Sequence, residues 1–415
     1  MTQNARLPLC AITAIATALA AGIAAAQSAP APVETGPAAR PDVSPAFPEQ
    51  TRAPARESAF GLETETLAGG LIHPWGIAVL PGEEGYLVTE RSGHMRRVTE
   101  DGEVSDPIAG IPAVYDVEQG GLLDVALAPD FDDSRMIYWT YAKPLGEGMS
   151  VTAAARGRIT EDLATVARVR DDLFNQVPPS PTPMHYGSRV VPTADGAVFI
   201  TTGDHFTEEE RHYAQDLGKT YGKIVRLTPA GATPDDNPFA DQGETAAQVW
   251  TLGHRNVQGA AIHPETGAFW VIEHGPQGGD ELNLVERGAN YGWPDVTYGE
   301  NYDGTPVTGG DHDHDAKGYT PPRYYWDPVI APGDMTFYEG SMFPEWEGDA
   351  LISALVAGGL VRLDLDGDIV TGEERLLSGL GRVRDVAVDD DGALLVLTDY
   401  EDGRIVRISR ASETN

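Results

Sequence analysis

The sequence predicts an all-β fold, a six-bladed β-propeller. A unit of apolar strand, turn and second apolar strand occurs six times, and long amphipathic helical patterns are absent. A repeated strand pair in an all-β chain is typical of propellers. The last apolar segment, Arg404–Ile408, can also pair with an early one, Leu62–Leu67, which would join the two ends of the ring.

The six copies share one pattern, in which an apolar run leads into a turn containing Pro, Asp-Gly or Gly and a second apolar run follows. In the first copy Ile77–Leu80 precedes Pro81, and Tyr86–Val88 comes after the turn. Because the repeat is degenerate, a pair of β-sandwiches with coincidental turns is the alternative. The copies lie roughly 50 to 75 residues apart, and their first runs begin at Ile77, Val125, Val190, Ala260, Met335 and Val386.

The N-terminal region is expected to lie outside this fold. Arg6, the apolar run Leu7–Ile23 and the small residues Ala24–Ala26 form the pattern of a secretory signal, residues 1–26. A membrane anchor is the alternative, but later segments fall short of the roughly 20 apolar residues of a spanning helix. Residues 27–57, rich in Ala and Pro, predict a disordered lead-in, and residues 58–415 the propeller. The mature chain is therefore expected to be periplasmic or secreted, without a membrane span.

Composition excludes several kinds of site. Cys10 is the only cysteine and lies in the expected signal, so the mature chain would have neither disulfides nor a cysteine nucleophile. The formal net charge is −35, which disfavours nucleic-acid binding because phosphate contacts need clustered Lys and Arg. Solubility explains most of the acidity, although some carboxylates could bind calcium.

One histidine and one aspartate are candidates for acid–base chemistry. His185 precedes a predicted strand, and Asp204 ends the next one, so a hairpin could bring the two side chains together. A neutral imidazole could then act as a general base that the carboxylate orients. A structural histidine is the alternative, and other histidines are equally eligible on local signal: His73, His205, His254 and His263.

The stretch from Gly253 to Trp293 is polar and rich in glycine between short apolar runs, as expected where a backbone approaches a ligand. Arg255-Asn256 in this stretch could bind a carboxylate through a planar fork and an amide. Arg382 and Arg384 would point to one side of a strand and could assist. Salt bridges to the many carboxylates are the alternative.

The same stretch could bind a cation. Gly275-Pro276 can direct two carbonyls outward, and Asp280-Glu281 follow, which suits the oxygen ligands of calcium. A solvated acidic turn is the alternative. The acidic and histidine-rich run Asp311–Asp315 is expected to be an exposed loop, and Asp364–Asp368 a turn.

Taken together, these motifs resemble the glucose/sorbosone dehydrogenase family over about Leu67–Ile408. The landmarks occur in the family's order, and the aldose dehydrogenase branch is the more similar because the connections between blades are short. They are Gln119–Asp124, His185 with Gly187–Arg189, Gly203-Asp204, Gly253–Gly259, Gly275–Asn283, Asn290–Trp293 and Arg382–Asp385.

The resemblance implies a six-bladed propeller that oxidises aldose sugars to lactones with pyrroloquinoline quinone (PQQ) and Ca²⁺, passing electrons to an external acceptor. It makes His185 the general base, Asp204 its orienting partner and Arg255 a catalytic group near the quinone carbonyl. Together with His185, the residues implied to contact PQQ are Gln119, Arg255, Asn256, Arg382 and Arg384. The carbonyls of Gly275 and Pro276 would hold the calcium beside PQQ, and the Glu281 side chain and Tyr291 carbonyl a second one.

One position departs from the family pattern. A lysine that contacts PQQ in the soluble glucose dehydrogenases is replaced by Val356, in Ala354–Gly358. This loss puts PQQ affinity and glucose specificity in question. Two alternatives to a sugar dehydrogenase are a calcium-dependent propeller hydrolase, such as a lactonase, and a propeller that binds sugar or protein without catalysis.

Overall fold

The computed structural model describes residues 1–2 and 30–412. Residues 3–26 of the expected secretory signal therefore lie outside the described residues. Within the described part of the chain, no helix combines the length and the apolar character that crossing a membrane requires.

Strands dominate the described residues and form six sheets. In chain order, β1 to β12 are Leu62–Leu71, Pro74–Val79, Tyr86–Glu90, His94–Val98, Leu122–Leu127, Met136–Gly146, Met149–Ile159, Val166–Asn175, Gly187–Pro192, Val198–Thr202, Lys223–Leu227 and Val249–Leu252. β13 to β23 are Val257–Ile262, Phe269–Glu273, Asp280–Leu284, Tyr324–Trp326, Pro332–Phe337, Ala350–Ala354, Leu360–Asp366, Ile369–Leu376, Val383–Val388, Leu394–Thr398 and Gly403–Arg410.

Helices in the described residues are short. The α-helices α1 to α3 are Phe131–Ser134, Glu244–Gln248 and His314–Lys317. The 3-10 helices are Pro48–Gln50, Gly82–Glu84, Glu210–Gln215, Thr308–Gly310, Pro344–Trp346 and Ser378–Leu380.

The six sheets are the blades of a propeller, which confirms the predicted fold class. Blade 1 is β2-β3-β4, and blades 2 to 5 are β5–β8, β9–β12, β13–β16 and β17–β20, each in sequence order from the shaft outward. Blade 6 is β21-β22-β23-β1. The first strands of the blades contact one another in ring order, β2, β5, β9, β13, β17, β21 and back to β2, and so enclose the central shaft.

The repeat and the closure of the ring are both as the sequence predicts. The two apolar runs of every copy form the first two strands of a blade; for example, Ile77 of β2 pairs with Val88 of β3. β1 is antiparallel to β23, and Leu62 lies opposite Arg410. The sandwich alternative is therefore wrong, because one blade contains both the first and the last strand.

Apolar clusters between neighbouring blades hold the ring together. Leu87 and Met95 of blade 1 pack with Trp139 and Tyr141 of blade 2, and similar clusters join the other blade pairs. A strand covered on both faces reads as a continuous apolar run, and β22 is accordingly buried along its whole length.

Close approach of the first strands requires glycine at the shaft. A Cβ on Gly259 of β13 would lie 2.8 Å from both the Asp334 Cα and the Met335 N of β17. A Cβ on Gly333 would lie 2.2 Å from the Arg384 carbonyl oxygen of β21. Both positions therefore exclude any larger residue without a shift of the neighbouring backbone.

The lead-in expected to be disordered makes defined contacts over residues 30–57. Pro32 pairs with Pro54, and Ala55 pairs with Glu373 of blade 5. The buried side chain of Gln50 donates to the Pro322 carbonyl at 2.7 Å. These contacts are made by single residues of the lead-in, and they cannot be predicted from a composition rich in Ala and Pro.

Candidate active site

The predicted cofactor-binding residues meet in one cavity at the shaft end where the first strands of the blades begin. This central cavity has a volume of about 370 Å³. Its lining includes all six predicted contacts: Gln119, His185, Arg255, Asn256, Arg382 and Arg384. A larger cavity, about 700 Å³, opens at the other end of the shaft. We assign the site to the smaller cavity because the histidine and most of the arginines are there.

His185 and Asp204 are brought together as the hairpin of β9 and β10 predicts. His185 Nδ1 lies 2.7 Å from Asp204 Oδ1. The same oxygen accepts from the Phe206 backbone N–H, and Oδ2 accepts from Trp293 Nε1, both at 2.8 Å. Since every Asp204 contact comes from a donor, the carboxylate holds the imidazole with its proton on Nδ1 and its lone pair on Nε2.

Electrostatics keep this pair in the state that a base requires. Burial and the charge of Arg255 lower the pKa of His185 below its ordinary 6.5. Burial opposes ionisation of Asp204, but His185 and Arg255 outweigh it, and the pKa of Asp204 is lowered. Near neutral pH the pair is therefore a neutral imidazole and an ionised carboxylate.

Arg255 is fixed at both ends. Its backbone N–H donates to Glu273 Oε2 at 2.6 Å, and its Nη1 donates to the carbonyls of Gly275 at 2.6 Å and His274 at 3.0 Å. Asn256 has a different task, because its Oδ1 accepts from the Gly187 N–H at 3.0 Å and joins blades 3 and 4. Of the predicted pair Arg255-Asn256, Arg255 therefore places a positive charge at the cavity, and Asn256 connects blades 3 and 4.

Arg382 and Arg384 lie on the opposite wall and share one carboxylate. Their Nη2 atoms donate to Asp399 Oδ2 at 3.2 and 2.8 Å. Arg384 is buried, its Nη1 donates to Gln258 Oε1 at 2.8 Å, and its Nε has no partner. A buried donor without a partner at the cavity wall is available to an anionic ligand.

Several lining residues were not predicted from the sequence, among them the basic side chains Arg91 and His274. Arg91 directly follows the end of β3. Arg255 and Arg382, which were predicted, also lie within two residues of a strand. His274 adjoins the Gly275-Pro276 turn, and burial followed by the charges of Arg384 and Arg255 lowers its pKa to about 3. Arg91 could have been predicted as a site residue, because it is a basic residue at a strand end in an acidic chain.

The predicted calcium ligands line two different cavities, and Arg255 lines both of them. Gly275, Glu281 and Tyr291 line a small cavity of about 10 Å³, about the space of one water molecule or ion. Pro276 instead lines a neighbouring cavity on another side of Arg255. The Gly275 carbonyl faces the Arg255 guanidinium, which is a cation in the place where the resemblance puts calcium.

The small cavity suits a hard cation. Glu281 and Glu273 are both buried, and Asn283 Nδ2 lies between their carboxylates at 3.3 and 3.0 Å. Burial and the charge of Glu273 raise the pKa of Glu281. Glu273 and Glu281 both line the small cavity, and carboxylate oxygens are ligands that calcium prefers.

The central cavity likewise suits a polyanion of the PQQ type. Four arginines line it, Arg91, Arg255, Arg382 and Arg384, with Asp399 as the acidic side chain among its lining residues. Val356, which the resemblance places at the position of the family lysine, is 66% exposed and is not among the residues that line this cavity. Its neighbour Leu355 lines the cavity and provides apolar surface there.

Two other acidic runs remain outside the site. Asp311–Asp315 was expected to be an exposed loop, but His314 is buried and stacks on Tyr298 with ring centroids 5.1 Å apart, while Asp313 caps α3. Asp364–Asp368 was expected to be a turn, but Asp364 to Asp366 end β19, and only Gly367 and Asp368 form the turn to β20. Among the described residues, no group of three or more His, Cys, Asp or Glu side chains has the geometry of a metal site.

A buried arginine fills the middle of the shaft. Arg189 Nη1 lies 2.6 Å from Asp124 Oδ1 and 3.4 Å from Asp385 Oδ2. Its Nε lies 3.1 Å from Asp334 Oδ1, an ion pair whose angle does not make it a hydrogen bond. One guanidinium thus joins four blades, and it lines the larger cavity.

Comparisons with known proteins identify the family. The sequence profile of the Glucose / Sorbosone dehydrogenase family matches residues 71–407. Aldose sugar dehydrogenase YliI of Escherichia coli (strain K12) is 41% identical over 354 residues, which are 84% of this chain and 93% of that protein.

Two solved structures are also similar. The apo-form of the soluble aldose sugar dehydrogenase from Escherichia coli is 40% identical with a TM-score of 0.81, covering 85% of this chain and 100% of that one. The PQQ-bound aldose sugar dehydrogenase from Streptomyces coelicolor is 27% identical with a TM-score of 0.70, covering 86% of this chain and 100% of that one. The chain described here therefore belongs to the glucose/sorbosone dehydrogenase family.

Proposed function

We propose that this chain is a PQQ-dependent aldose sugar dehydrogenase that oxidises the anomeric carbon of an aldose and releases a lactone. The observation that carries the proposal is the His185–Asp204 pair beside a cavity lined by four arginines. The names of the similar proteins, aldose sugar dehydrogenases of which one is PQQ-bound, support it.

PQQ, when bound, supplies a quinone that accepts the hydride from the sugar and yields two electrons to an external acceptor. It carries three carboxylates, and the cationic groups of Arg91, Arg382 and Arg384 offer the matching charge on one wall. The unpartnered Nε of Arg384 would gain an acceptor there. Gln119 and Asn256 would border the ring.

His185 is proposed as the general base. Its Nε2 lone pair would accept the proton of the anomeric hydroxyl as the hydride leaves the same carbon. Asp204 has two tasks, since it fixes the proton on Nδ1 before the transfer and stabilises the imidazolium after it. Arg255 would provide a positive charge where negative charge develops on the quinone oxygen.

Calcium is proposed at two places. The carbonyls of Gly275 and Pro276 would hold the ion next to PQQ, where calcium supplies Lewis-acid polarisation. That ion would take the Gly275 carbonyl from Arg255, whose guanidinium would then be free for the cofactor. The Glu281 side chain and the Tyr291 carbonyl would hold the second ion, with Glu273 adding negative charge next to it.

We further propose a periplasmic or secreted location, from the signal pattern of residues 1–26. The hydrolase alternative is less well supported. A hydrolytic propeller would centre a metal in its shaft, whereas here the Arg189 guanidinium occupies that position between three aspartates.

Reconstitution tests the proposal. The purified chain is mixed with PQQ and Ca²⁺ and assayed for dye reduction with several aldoses, and separately for hydrolysis of lactones. The proposal expects sugar-dependent dye reduction that requires PQQ. Absence of PQQ binding at every calcium concentration would refute it, and lactone hydrolysis without PQQ would favour the hydrolase.

A further inference from the structure

Five exposed apolar side chains surround the mouth of the central cavity. Each lines this cavity or lies within two residues of one that does, and each belongs to a different blade or to the connection that leads into it. They are Val117 before blade 2, Phe206 in blade 3, Tyr302 in blade 4, Val356 in blade 5 and Tyr400 in blade 6. We call these five residues the mouth rim, and they encircle most of the opening.

The mouth rim has no task in the proposed reaction. Val117, Val356 and Tyr400 are not among the residues that line the central cavity. Tyr302 and Val356 are 63% and 66% exposed. A single exposed apolar side chain is ordinary on a protein surface, but a group of them around one opening is typical of a surface that binds a partner.

Two contacts fix the mouth rim to the candidate active site. The His185 N–H donates to Gln119 Oε1 at 2.9 Å, which holds the loop of Val117 beside the proposed base. The Arg382 N–H donates to the Tyr400 hydroxyl at 3.0 Å. A protein bound on the mouth rim would therefore lie directly over the central cavity.

Carboxylates accompany these apolar side chains. Seven exposed acidic residues lie within three residues of a rim residue in the sequence: Asp116, Glu118, Glu208, Glu209, Asp303, Glu401 and Asp402. The arginines at the mouth line the cavity instead, where a bound polyanion would match their charge. The mouth rim therefore presents apolar and negative groups together, which complements a basic partner and would repel a second copy of this chain.

The proposed reaction requires a partner at this place. Oxidation of one aldose to a lactone releases two electrons and two protons, and the electrons must pass to an external acceptor. An acceptor protein has to bring its own redox centre close to the cofactor, and the central cavity opens at the mouth rim. Small dyes and quinones need only to enter the cavity, so exposed apolar groups outside it would not be needed for them.

We propose that the mouth rim is the docking surface of a small basic cytochrome, whose apolar haem edge lies within a ring of lysines. The inference rests on the proposed function and names its electron acceptor. Two oxidised cytochromes would bind in turn, each taking one electron to its haem iron, while two protons pass to the solvent. The apolar groups would pack on the haem edge, and the carboxylates would pair with the lysines and accelerate the encounter.

The test measures electron transfer to a basic c-type cytochrome, which serves as the probe. The PQQ- and calcium-loaded chain is mixed with an aldose, and the rate of haem reduction is compared with the rate of reduction of a small neutral dye. The unaltered chain should reduce two haems per lactone formed. Glu401→Lys with Asp402→Lys should lower the rate of haem reduction about tenfold at low salt and leave dye reduction within about twofold. This loss should shrink when the NaCl concentration rises from about 10 mM to about 300 mM.

Asp195→Lys with Glu265→Lys is the matched control. These two carboxylates are also exposed, but they lie in the β9–β10 and β13–β14 turns, at the opposite end of the shaft. The net charge changes by the same amount in both double variants, so a general attraction between an acidic chain and a basic cytochrome would weaken equally. The control should keep haem reduction within about twofold of the unaltered chain.

Binding without turnover is the second readout. Calorimetry with the oxidised cytochrome and the loaded chain, without sugar, should detect a complex that Glu401→Lys with Asp402→Lys weakens about tenfold. Val356→Ser removes an apolar group without a change of charge. It should weaken the complex about threefold at low and at high salt.

The outcomes separate the two proposals. If the loaded chain reduces no dye with any aldose, the proposed function fails and this inference falls with it. If it reduces the dye but not the cytochrome, or if both double variants lose haem reduction equally, the docking surface is refuted and the dehydrogenase stands. Self-association of the chain that Val356→Ser disrupts would also refute the docking surface, since a second copy would then cover the mouth.

Discussion

His185 Nδ1 and Asp204 Oδ1 lie 2.7 Å apart at one end of the propeller shaft. Both side chains are buried, and the Trp293 indole and the Phe206 N–H occupy the other acceptor positions of the carboxylate. The arrangement fixes one imidazole tautomer, and the resulting free Nε2 is the proposed proton acceptor.

The pH dependence of turnover should reflect this histidine. Burial and the charge of Arg255 lower the pKa of His185 from its ordinary 6.5, so this imidazole is protonated at a lower pH than an ordinary histidine. The value of kcat should therefore fall in an acid limb whose midpoint lies below pH 6.5, with a limiting slope of tenfold per pH unit. An acid limb centred above pH 7 would contradict the assignment.

Asp204→Asn should lower kcat by about 10² to 10⁴. Asp204 accepts from three donors, so an amide must turn its NH₂ group either toward Trp293 Nε1 or toward His185 and Phe206. The second orientation forces the proton onto His185 Nε2, and both remove the charge that stabilises imidazolium. Steady-state kinetics measure the loss, and Asp195→Asn, on the exposed turn of the same hairpin, is the control.

Calcium should stabilise the fold through Glu281. A ligand that binds the native state alone raises stability with its concentration, so Ca²⁺ should raise the Tm of the unaltered chain without PQQ. Glu281→Gln should remove most of this increase, whereas Glu286→Gln, an exposed carboxylate in the following turn, should preserve it. Equal calcium shifts in both variants would rule out the proposed ion site.

Arg189→Met should destabilise the propeller by about 3 to 5 kcal/mol, the cost of leaving buried charges unpaired. Burial already raises the pKa of Asp124 from 3.8 to about 6 despite Arg189, so the native state takes up protons more readily than the unfolded chain. The stability that this raised pKa contributes is therefore lost as the pH rises from 3.8 to about 6. Denaturation should show a larger deficit at pH 8 than at pH 5, and Arg56→Met, a surface ion pair, should show little.

The fold could be predicted from the sequence because its signals are local. Each blade begins with an apolar run, a turn and a second run, and these are adjacent in the chain. The pairing of β1 with β23 also followed, since a ring must close. The structure of the lead-in was harder to predict, because it depends on hydrogen bonds to residues far away in the sequence. The Arg40 N–H donates to Asp327, and the Gln50 side chain donates to the Pro322 carbonyl.

Site residues could be predicted where they lie close together in the sequence, at a short hairpin or in a recognisable motif. His185 and Asp204 are 19 residues apart, just before β9 and just after β10, which pair with each other, and Arg255 lies in the polar stretch from Gly253 to Trp293. The role of Arg189 was not predictable, because its partners Asp124 and Asp385 are 65 and 196 residues away. Such a cluster exists only after six blades have assembled.

The most direct test of the account is reduction of bound PQQ in a single turnover. The chain is loaded with PQQ and Ca²⁺, mixed with excess aldose without an acceptor, and followed by the absorbance of the cofactor. The unaltered chain should reduce one equivalent of PQQ, and His185→Ala should bind PQQ with similar affinity but leave it oxidised. Reduction at the unaltered rate in His185→Ala would contradict the account, as would failure of the unaltered chain to bind or reduce PQQ.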